Sequence, residues 1–381
     1  MTTVVPAALA GPSLASLTTL RLGGPVGRYV ETSSEADLVA VVREADAAGE
    51  PLLVLGGGSN LVVADAGFPG VVVRDVRTGV VVESADTCGG ASVRVPAGTP
   101  WVDVVDRAVA EGWVGVEALA GIPGSAGATP VQNVGAYGQD VGGALSTVRV
   151  WDRERGRVRT MAPVDLELGY RTSVLKRSLR ADDGGPSAFA PTPRYVVLDV
   201  GFQLRLGTLS APVAYPELAR RLGIEVGQRA PSADVRAAVL ELRAGKGMVL
   251  DAADPDTWSA GSFFTNPVVT AEVADALPAG APRFAVRSSR PEATTGPSLG
   301  AVDETLVKTS AAWLIEHSGF GKGFGLPGPV GLSTKHPLAL THRGDGTTAQ
   351  LLALAREVRD GVRDRFGIEL EPEPVLVGCS L

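Results

Sequence analysis

The sequence is poor in the side chains that build cross-links and metal sites. It has two cysteines and three histidines in 381 residues. Cys88 and Cys379 cannot make a disulfide framework. The histidines His317, His336 and His342 all follow residue 316, which leaves little material for a zinc site, and no metal is expected. Positive charge is not in excess. Thirty-five Lys and Arg face 42 Asp and Glu, a net charge of −7. That balance argues against a general nucleic-acid binder or a polybasic membrane-surface protein. No apolar run approaches ~20 residues, and the opening MTTVVPAALAGPSLASL has no basic segment ahead of an apolar one. A soluble cytoplasmic protein is the expectation. Lysine is scarce too: only Lys176, Lys246, Lys308, Lys322 and Lys335 stand among the 35 basic residues. Where arginine is so preferred, a lysine hints that a compact point charge is wanted, against the plainer reading of a solvated side chain.

Apolar mass and glycine are plentiful. The hydrophobic fraction is 45% and the charged fraction 20%, so the chain can bury real cores. Its length suggests two or three domains at ~150 residues each. The 48 glycines and 27 prolines promise loops in which backbone approaches a ligand closely. Ser34-Glu35-Ala36-Asp37 signals a helix start, followed by Leu38, Val41, Val42 and Ala45 at helical spacing. Pro51–Leu55 reads as a buried strand, and Val71-Val72-Val73 as another, so the first ~80 residues form a β-α-β unit. Thr99-Pro100 reads as cap and first-turn proline of a second helix stopped near Gly112. Strands are expected over Thr147–Trp151 and Tyr195–Val200, with an exposed loop over 181–193 between them and another over 290–300 further on. Helices are expected over Ser232–Ala244, Lys308–Ser318 and Thr347–Phe366, and a strand near Ile368–Val377. A mixed α+β segment thus runs from the first unit to about residue 245, and a third unit to about 367.

Five stretches could carry chemistry. Gly56-Gly57-Gly58-Ser59-Asn60 follows a strand and could converge backbone N–H groups on a pyrophosphate. The plainer reading is a tight turn, and G-x-G-x-x-G is not matched. Residues 118–139 carry no charged side chain and five glycines, which suits backbone laid against a flat ligand better than a buried connecting loop. Arg171 beside Tyr170 could clamp a carboxylate, although a surface arginine is the commoner case. Ser262, between Gly261 and Phe263-Phe264, could donate a proton from a partly dry hydroxyl, although core phenylalanines at a strand start explain the pattern equally well. No histidine base lies near it, so a Ser-His-Asp hydrolase has little support. Glu371-Pro372-Glu373-Pro374 would put both glutamates on one face of an edge-like strand, unless it is only an exposed acidic tail.

The order of these stretches is more specific than any one of them. LGGGSNLVV at 55–63, AGIPGSAGATPVQNVGAYG at 120–138, GYRTSVLK at 169–176, AGSFFTNPVV at 260–269, KTSAAWLIE at 308–316 and FGIELEPEPVLVG at 366–378 together resemble the UDP-N-acetylenolpyruvoylglucosamine reductase family. The resemblance covers almost the whole chain. It implies an α+β fold: a two-part FAD-binding fold of the vanillyl-alcohol-oxidase/PCMH type plus a C-terminal α+β substrate-binding domain. The implied division is 1–82, with the C-terminal strand 368–381 returning to it, then 83–245, then 246–367. FAD would be held noncovalently, and no histidine precedes residue 317 to carry a histidyl-flavin link. By resemblance, FAD would contact Gly56, Gly57, Gly58, Ser59 and Asn60, then Gly121, Ile122, Pro123, Gly124, Ser125, Gly127, Ala128, Gln132, Asn133, Gly135, Ala136 and Tyr137. Ala214-Tyr215-Pro216-Glu217-Leu218 and Arg243-Ala244-Gly245-Lys246 match the family type with a tyrosine loop.

The activity implied is NADPH-dependent, FAD-mediated reduction of UDP-N-acetylglucosamine enolpyruvate to UDP-N-acetylmuramate, by a monomer with no nucleic-acid or membrane partner. Tyr170, Tyr215, Lys246, Asn266, Lys308 and His336 would touch that substrate. Hydride goes to C3 of the enol ether and charge builds at C2, where preorganised donors matter most. Arg171 and Glu373 would sit at the carboxylate and Ser262 would protonate C2, with Glu373 neutral when it donates, which burial beside a carboxylate favours. The family usually has an apolar strand former where Pro374 stands, so Glu371 stays open as an alternative to Glu373. Two other functions stay open as well. One is an FAD-dependent alcohol or sugar oxidase of the same fold, against which the Tyr215 loop and the Ser262 motif speak. The other is a non-catalytic nucleotide-sugar binder, against which the joint presence of Arg171, Ser262 and Glu373 speaks.

Overall fold

Ser34 accepts the amide of Asp37 (3.1 Å) and starts the helix Glu35–Ala48, which Gly49 closes in the left-handed conformation. The computed structural model describes residues 11–291 and 300–381; of the loop expected over 290–300, residues 292–299 lie outside the described residues. The stripe Leu38, Val42 and Ala45 packs on a parallel sheet in which Phe68–Asp75 lies between Val26–Thr32 and Leu52–Val54. The helix crosses over from Val26–Thr32 to Leu52–Val54, and Phe68–Asp75 inserts between these two parallel strands. Past the glycine loop, Leu61–Val63 pairs in parallel with Val375–Val377, so the end of the chain returns to its beginning.

The middle of the chain forms an antiparallel sheet in the order Arg157–Met161, Leu145–Asp152, Tyr195–Leu206, Gly90–Pro96, Val81–Asp86. One face meets the helices Trp101–Ala110 and Ser232–Gly245 in a core containing Trp101, Val148, Phe202, Val235 and Val239. The other gives Trp151, Val196 and Leu198 to the core under Glu35–Ala48. The run Tyr195–Leu198 is apolar without alternation because both of its faces are covered. A third core gathers Phe263, Phe264, Leu314, Ile315, Leu351, Ala355 and Val358 around the helices Ala311–His317 and Thr348–Phe366. Leu20, Leu22 and Val62 of the first unit join it. No helix among the described residues is long and apolar enough to cross a membrane.

Four local expectations change. Pro100, not Thr99, occupies the N-cap position of its helix, and the Thr99 hydroxyl instead donates to the carbonyl of Gly79. The helix expected from Lys308 begins at Ala311, because Lys308 pairs with Val268 and Phe284 in a sheet. Long-range strand pairing there overrides local helical spacing. The C-terminal strand shortens to Val375–Val377, so Glu371 and Glu373 share no strand face: Glu373 is buried and Glu371 exposed. The loop 181–193 has no helix or strand, but its end is buried rather than exposed. Thr192 Oγ1 donates to Leu52 O (2.9 Å) and accepts from Val54 N (2.8 Å), stitching the loop to the first sheet.

Candidate active site

The two glycine-rich loops meet backbone to backbone. A Cβ on Gly57 would lie 2.5 Å from Gly124 Cα, and one on Gly58, whose φ is +63°, would lie 2.0 Å from the Leu17 carbonyl oxygen. Ser59 Oγ donates to Pro123 O (3.0 Å) and ties the loops together. Side chains at these positions would block the contact, so glycine is dictated by close approach. The loops wall a cleft of about 320 Å³, lined by Leu38 and Val196 of the core under Glu35–Ala48, by Trp101 and Val197 of the core beside it, and by the segment Ser259–Ser262. Gly56, Gly58, Ser59, Asn60, Ile122, Pro123, Gly124, Ser125, Gly127, Ala128, Gln132 and Gly135, assigned to FAD in the sequence reading, line this cleft.

Arg171, Ser262 and Glu373 line the same cleft. Arg171 sits in a tight turn closed by Gly169 N donating to Thr172 O (3.0 Å), with its own φ at +54°. A non-glycine residue held left-handed costs on the order of 1 kcal/mol, and such strain gathers at functional sites. Ser173 then caps the short helix Val174–Arg177 and its hydroxyl donates to Val131 O, fastening the turn to the second loop. Ser262 and Glu373 are positioned by one backbone ladder: Glu373 N donates to Phe263 O (2.9 Å) and Thr265 N to Glu371 O (3.0 Å). Phe263 and Phe264 below are buried and edge-to-face at 5.1 Å, so the core reading of this motif holds while Ser262 itself lines the cleft.

Arg171 Nε lies 3.0 Å from Glu373 Oε1. Its N–H makes no hydrogen bond there, so the contact is Coulombic, while a terminal guanidinium nitrogen donates to Gly135 O (2.9 Å). The aligned donor to Glu373 Oε1 is Gln132 Nε2 (3.2 Å). Gln132 Oε1 in turn accepts from Asn60 Nδ2 (2.8 Å) and Lys176 Nζ (3.1 Å). Asn60 and Gln132, read from the sequence as cofactor contacts, therefore also frame the acid. Lys176 carried only the hint of its scarcity. Burial pushes the Lys176 ammonium below its usual range, with Glu373 opposing and Arg171 adding to the shift.

Arg243 is a second residue whose role the sequence left unassigned. Burial lowers its guanidinium to about 10, and Tyr137 only partly compensates. One terminal nitrogen donates to Met248 O (2.7 Å), while buried Nε has no partner among the described residues. The side chain as a whole is half-buried on the cleft wall, and among the described residues no carboxylate pairs with it.

Other expected contacts stand away from the cleft. Gly57, Gly121, Asn133, Ala136 and Tyr137 do not line it. Asn133 holds backbone instead, donating to Gly169 O and accepting from Gly142 N. Tyr137 meets Tyr215 edge-on at 5.4 Å, with Lys246 Nζ 5.6 Å from its ring. Lys246 and His336 line a separate groove with Glu217 and Lys322. Burial opposes the charge of Lys246, but Glu217 at 2.5 Å more than offsets it and holds the ammonium above its usual range. Tyr170 and Lys308 pair at 4.3 Å, and burial followed by Arg171 lowers the Lys308 ammonium. Asn266 N donates to the Tyr170 hydroxyl (3.4 Å), and Asn266 Oδ1 accepts from Ala311 N (3.0 Å). Among the described residues no three His, Cys, Asp or Glu side chains gather as a metal site.

Comparison with known proteins gives two family matches. Residues 254–377 match the UDP-N-acetylenolpyruvoylglucosamine reductase C-terminal domain, and residues 26–162 an FAD binding domain. A UDP-N-acetylenolpyruvoylglucosamine reductase from Saccharopolyspora erythraea is 54% identical over 97% of this chain and 96% of its own length. One from Cutibacterium acnes is 50% identical over 97% of this chain and 90% of its own. Among solved structures, UDP-N-acetylenolpyruvylglucosamine reductase (MurB) from Thermus caldophilus superposes with a TM-score of 0.60 at 23% identity, covering 96% of this chain and 97% of that one. At that identity it speaks for the fold alone.

Proposed function

The chain belongs to the UDP-N-acetylenolpyruvoylglucosamine reductase family, and we propose that its cleft carries out the family reaction through Arg171, Ser262 and Glu373. That reaction reduces UDP-N-acetylglucosamine enolpyruvate to UDP-N-acetylmuramate with FAD and NADPH, in peptidoglycan precursor synthesis. We read the protein as a cytoplasmic monomer divided near residues 82, 245 and 367.

The cleft fits FAD by two features: walls of bare glycine backbone, and the cation Arg243, whose buried Nε has no partner among the described residues. Gly56, Gly58, Ser59 and Gly124 would hold the diphosphate, and Ile122, Ser125, Gly127, Ala128 and Gly135 the rest of the dinucleotide. When bound, FAD supplies the hydride, taken from NADPH, to C3 of the enol ether.

This chain's residues manage the charge and the proton that follow. Arg171 offers a fixed cation to the substrate carboxylate, into which charge from C2 spreads. Glu373 Oε1 faces Arg171 and the Gln132 amide, so in its neutral form Oε2 carries the proton and donates to the same carboxylate. Ser262 gives its proton to C2. Tyr215 and Lys246 take the uridine-diphosphate end, where Lys246 exchanges Glu217 for phosphate. Tyr170, Asn266, Lys308 and His336 make further substrate contacts. The observation that supports this reading is the convergence of Arg171, Ser262 and Glu373, from three distant stretches, on one cleft walled by glycine.

The test is spectroscopic. Purified protein is expected to show bound-FAD absorbance, lose it with NADPH and regain it on adding the enolpyruvyl nucleotide sugar without air. Protein that stays colourless after incubation with FAD, or that recolours only with oxygen, overturns the reading.

A further inference from the structure

Glu373 needs a fixed orientation as well as a charge state, and among the described residues the Gln132 side-chain amide is the aligned hydrogen bond that supplies it. An amide can flip end over end, exchanging its donor and acceptor faces. Lysine carries donors only, so the Gln132 atom 3.1 Å from Lys176 Nζ must be the oxygen. Lys176 is half-buried and makes a second hydrogen bond, to the main-chain oxygen of Glu373 (3.1 Å). It therefore grips both the amide that orients the acid and the backbone that carries it.

We propose that Lys176 is a positioning residue for proton delivery, locking Gln132 with its NH2 toward Glu373 Oε1 so that Oε2 faces the substrate. This inference rests on the reading that Glu373 acts at the substrate carboxylate. Asn60 assists, since its Nδ2 donates to the same Gln132 oxygen (2.8 Å). Asn60 Nδ2 also reaches the Glu373 main-chain oxygen at 3.5 Å, the long limit of a hydrogen bond, so Asn60, which presents an oxygen as readily as an amine, can turn over with Gln132 for the loss of that one weak contact. Lys176 cannot, because either face it presents is a donor. Without Lys176 the paired amides can invert, and a Gln132 oxygen would then face Glu373 Oε1. Two acceptors in that contact would draw the Glu373 proton to Oε1, away from the substrate.

The experiment compares Lys176→Met, Gln132→Leu, the double variant and Glu373→Gln in the FAD-loaded protein, by anaerobic stopped flow. Methionine fills the half-buried lysine stem without its donors. For Lys176→Met the rate of flavin bleaching by NADPH is expected to stay within about twofold. Recolouring by the enolpyruvyl substrate is expected to slow by about 10- to 100-fold, the range for a misplaced catalytic group. The substrate Kd, read from perturbation of the oxidised flavin spectrum, is expected to hold, so the loss falls on kcat rather than KM. If Lys176 acts through Gln132, the double variant is no slower than Gln132→Leu alone. Lys176→Arg, which keeps the donors, is expected to recover part of the rate. Additive losses, equal slowing of both half-reactions or a raised Kd with unchanged kcat would each overturn the assignment. If Glu373→Gln leaves recolouring intact, the reading of the site fails and the Lys176 inference with it. If Glu373→Gln stalls recolouring while Lys176→Met does not, only the Lys176 inference fails.

Discussion

Ser262 carries no charge and has no basic side chain as sequence neighbour, so its hydroxyl can act only where charge on the acceptor draws the proton across. Its replacement by alanine should therefore separate the two halves of the turnover. Ser262→Ala is expected to keep the rate of NADPH bleaching and to slow recolouring by about 10²–10⁴-fold, the range for general acid catalysis. Stopped-flow traces in which both phases slow together would remove Ser262 from the proton step. At this scale the sequence was partly legible. Arg171, Ser262 and Glu373 stood out through their motifs. Glu371 and Glu373 could not be told apart, because two prolines replaced the strand that would have fixed their facing. Lys176 and Arg243 were visible only as a scarce lysine and as part of a matched motif. Their roles depend on which distant oxygen atoms surround them.

Among the elements, the loop after Leu52–Val54 bears a strict demand for glycine. Gly58 combines a left-handed backbone with a carbonyl where a side chain would begin. Gly58→Ala is expected to destabilise the protein by at least on the order of 1–2 kcal/mol from the backbone conformation alone. The clash with Leu17 should also open the loop and lower the FAD retained through purification, read as absorbance per mole of protein together with Tm. An unchanged Tm with full FAD content would show that the loop accommodates the methyl group. Helices with their own stop signals were legible as written. Thr347 and Gln350 form the capping box of Thr348–Phe366, and Gly367 closes it left-handed. Strands that depend on partners far along the chain were not: the pairing of Lys308 with Val268 and Phe284 took residues from an expected helix.

Taken whole, the molecule sets one cleft between several packed cores, and its stability should carry the mark of a half-buried imidazole. His336 is pushed down to about 4, by burial first and then by Lys246 and Lys322. The unfolded chain binds that proton near pH 6.5, so between about pH 6.5 and 4 the unfolded state holds more protons and stability falls as pH falls. Burial lowers His342 as well and adds to the same window. The lowered carboxylates of Asp152 and Asp256 lose their contribution only below their ordinary value of 3.8. Tm is thus expected to fall from pH 7 to 4.5, and His336→Gln to flatten part of that slope. An identical slope in the variant would mean that His336 is not its source. The sequence by itself determined the family, through the order of its motifs, and the glycine loops, most helices and the chemical types at the site, because turn residues, helix stops and side-chain chemistry are local properties. Only the tertiary structure decided that Glu373 rather than Glu371 faces the cleft, that Gln132 and Lys176 hold it, and that the end of the 181–193 loop is buried. Each of those depends on hydrogen bonds between residues far apart in the chain, whose partners no local pattern encodes.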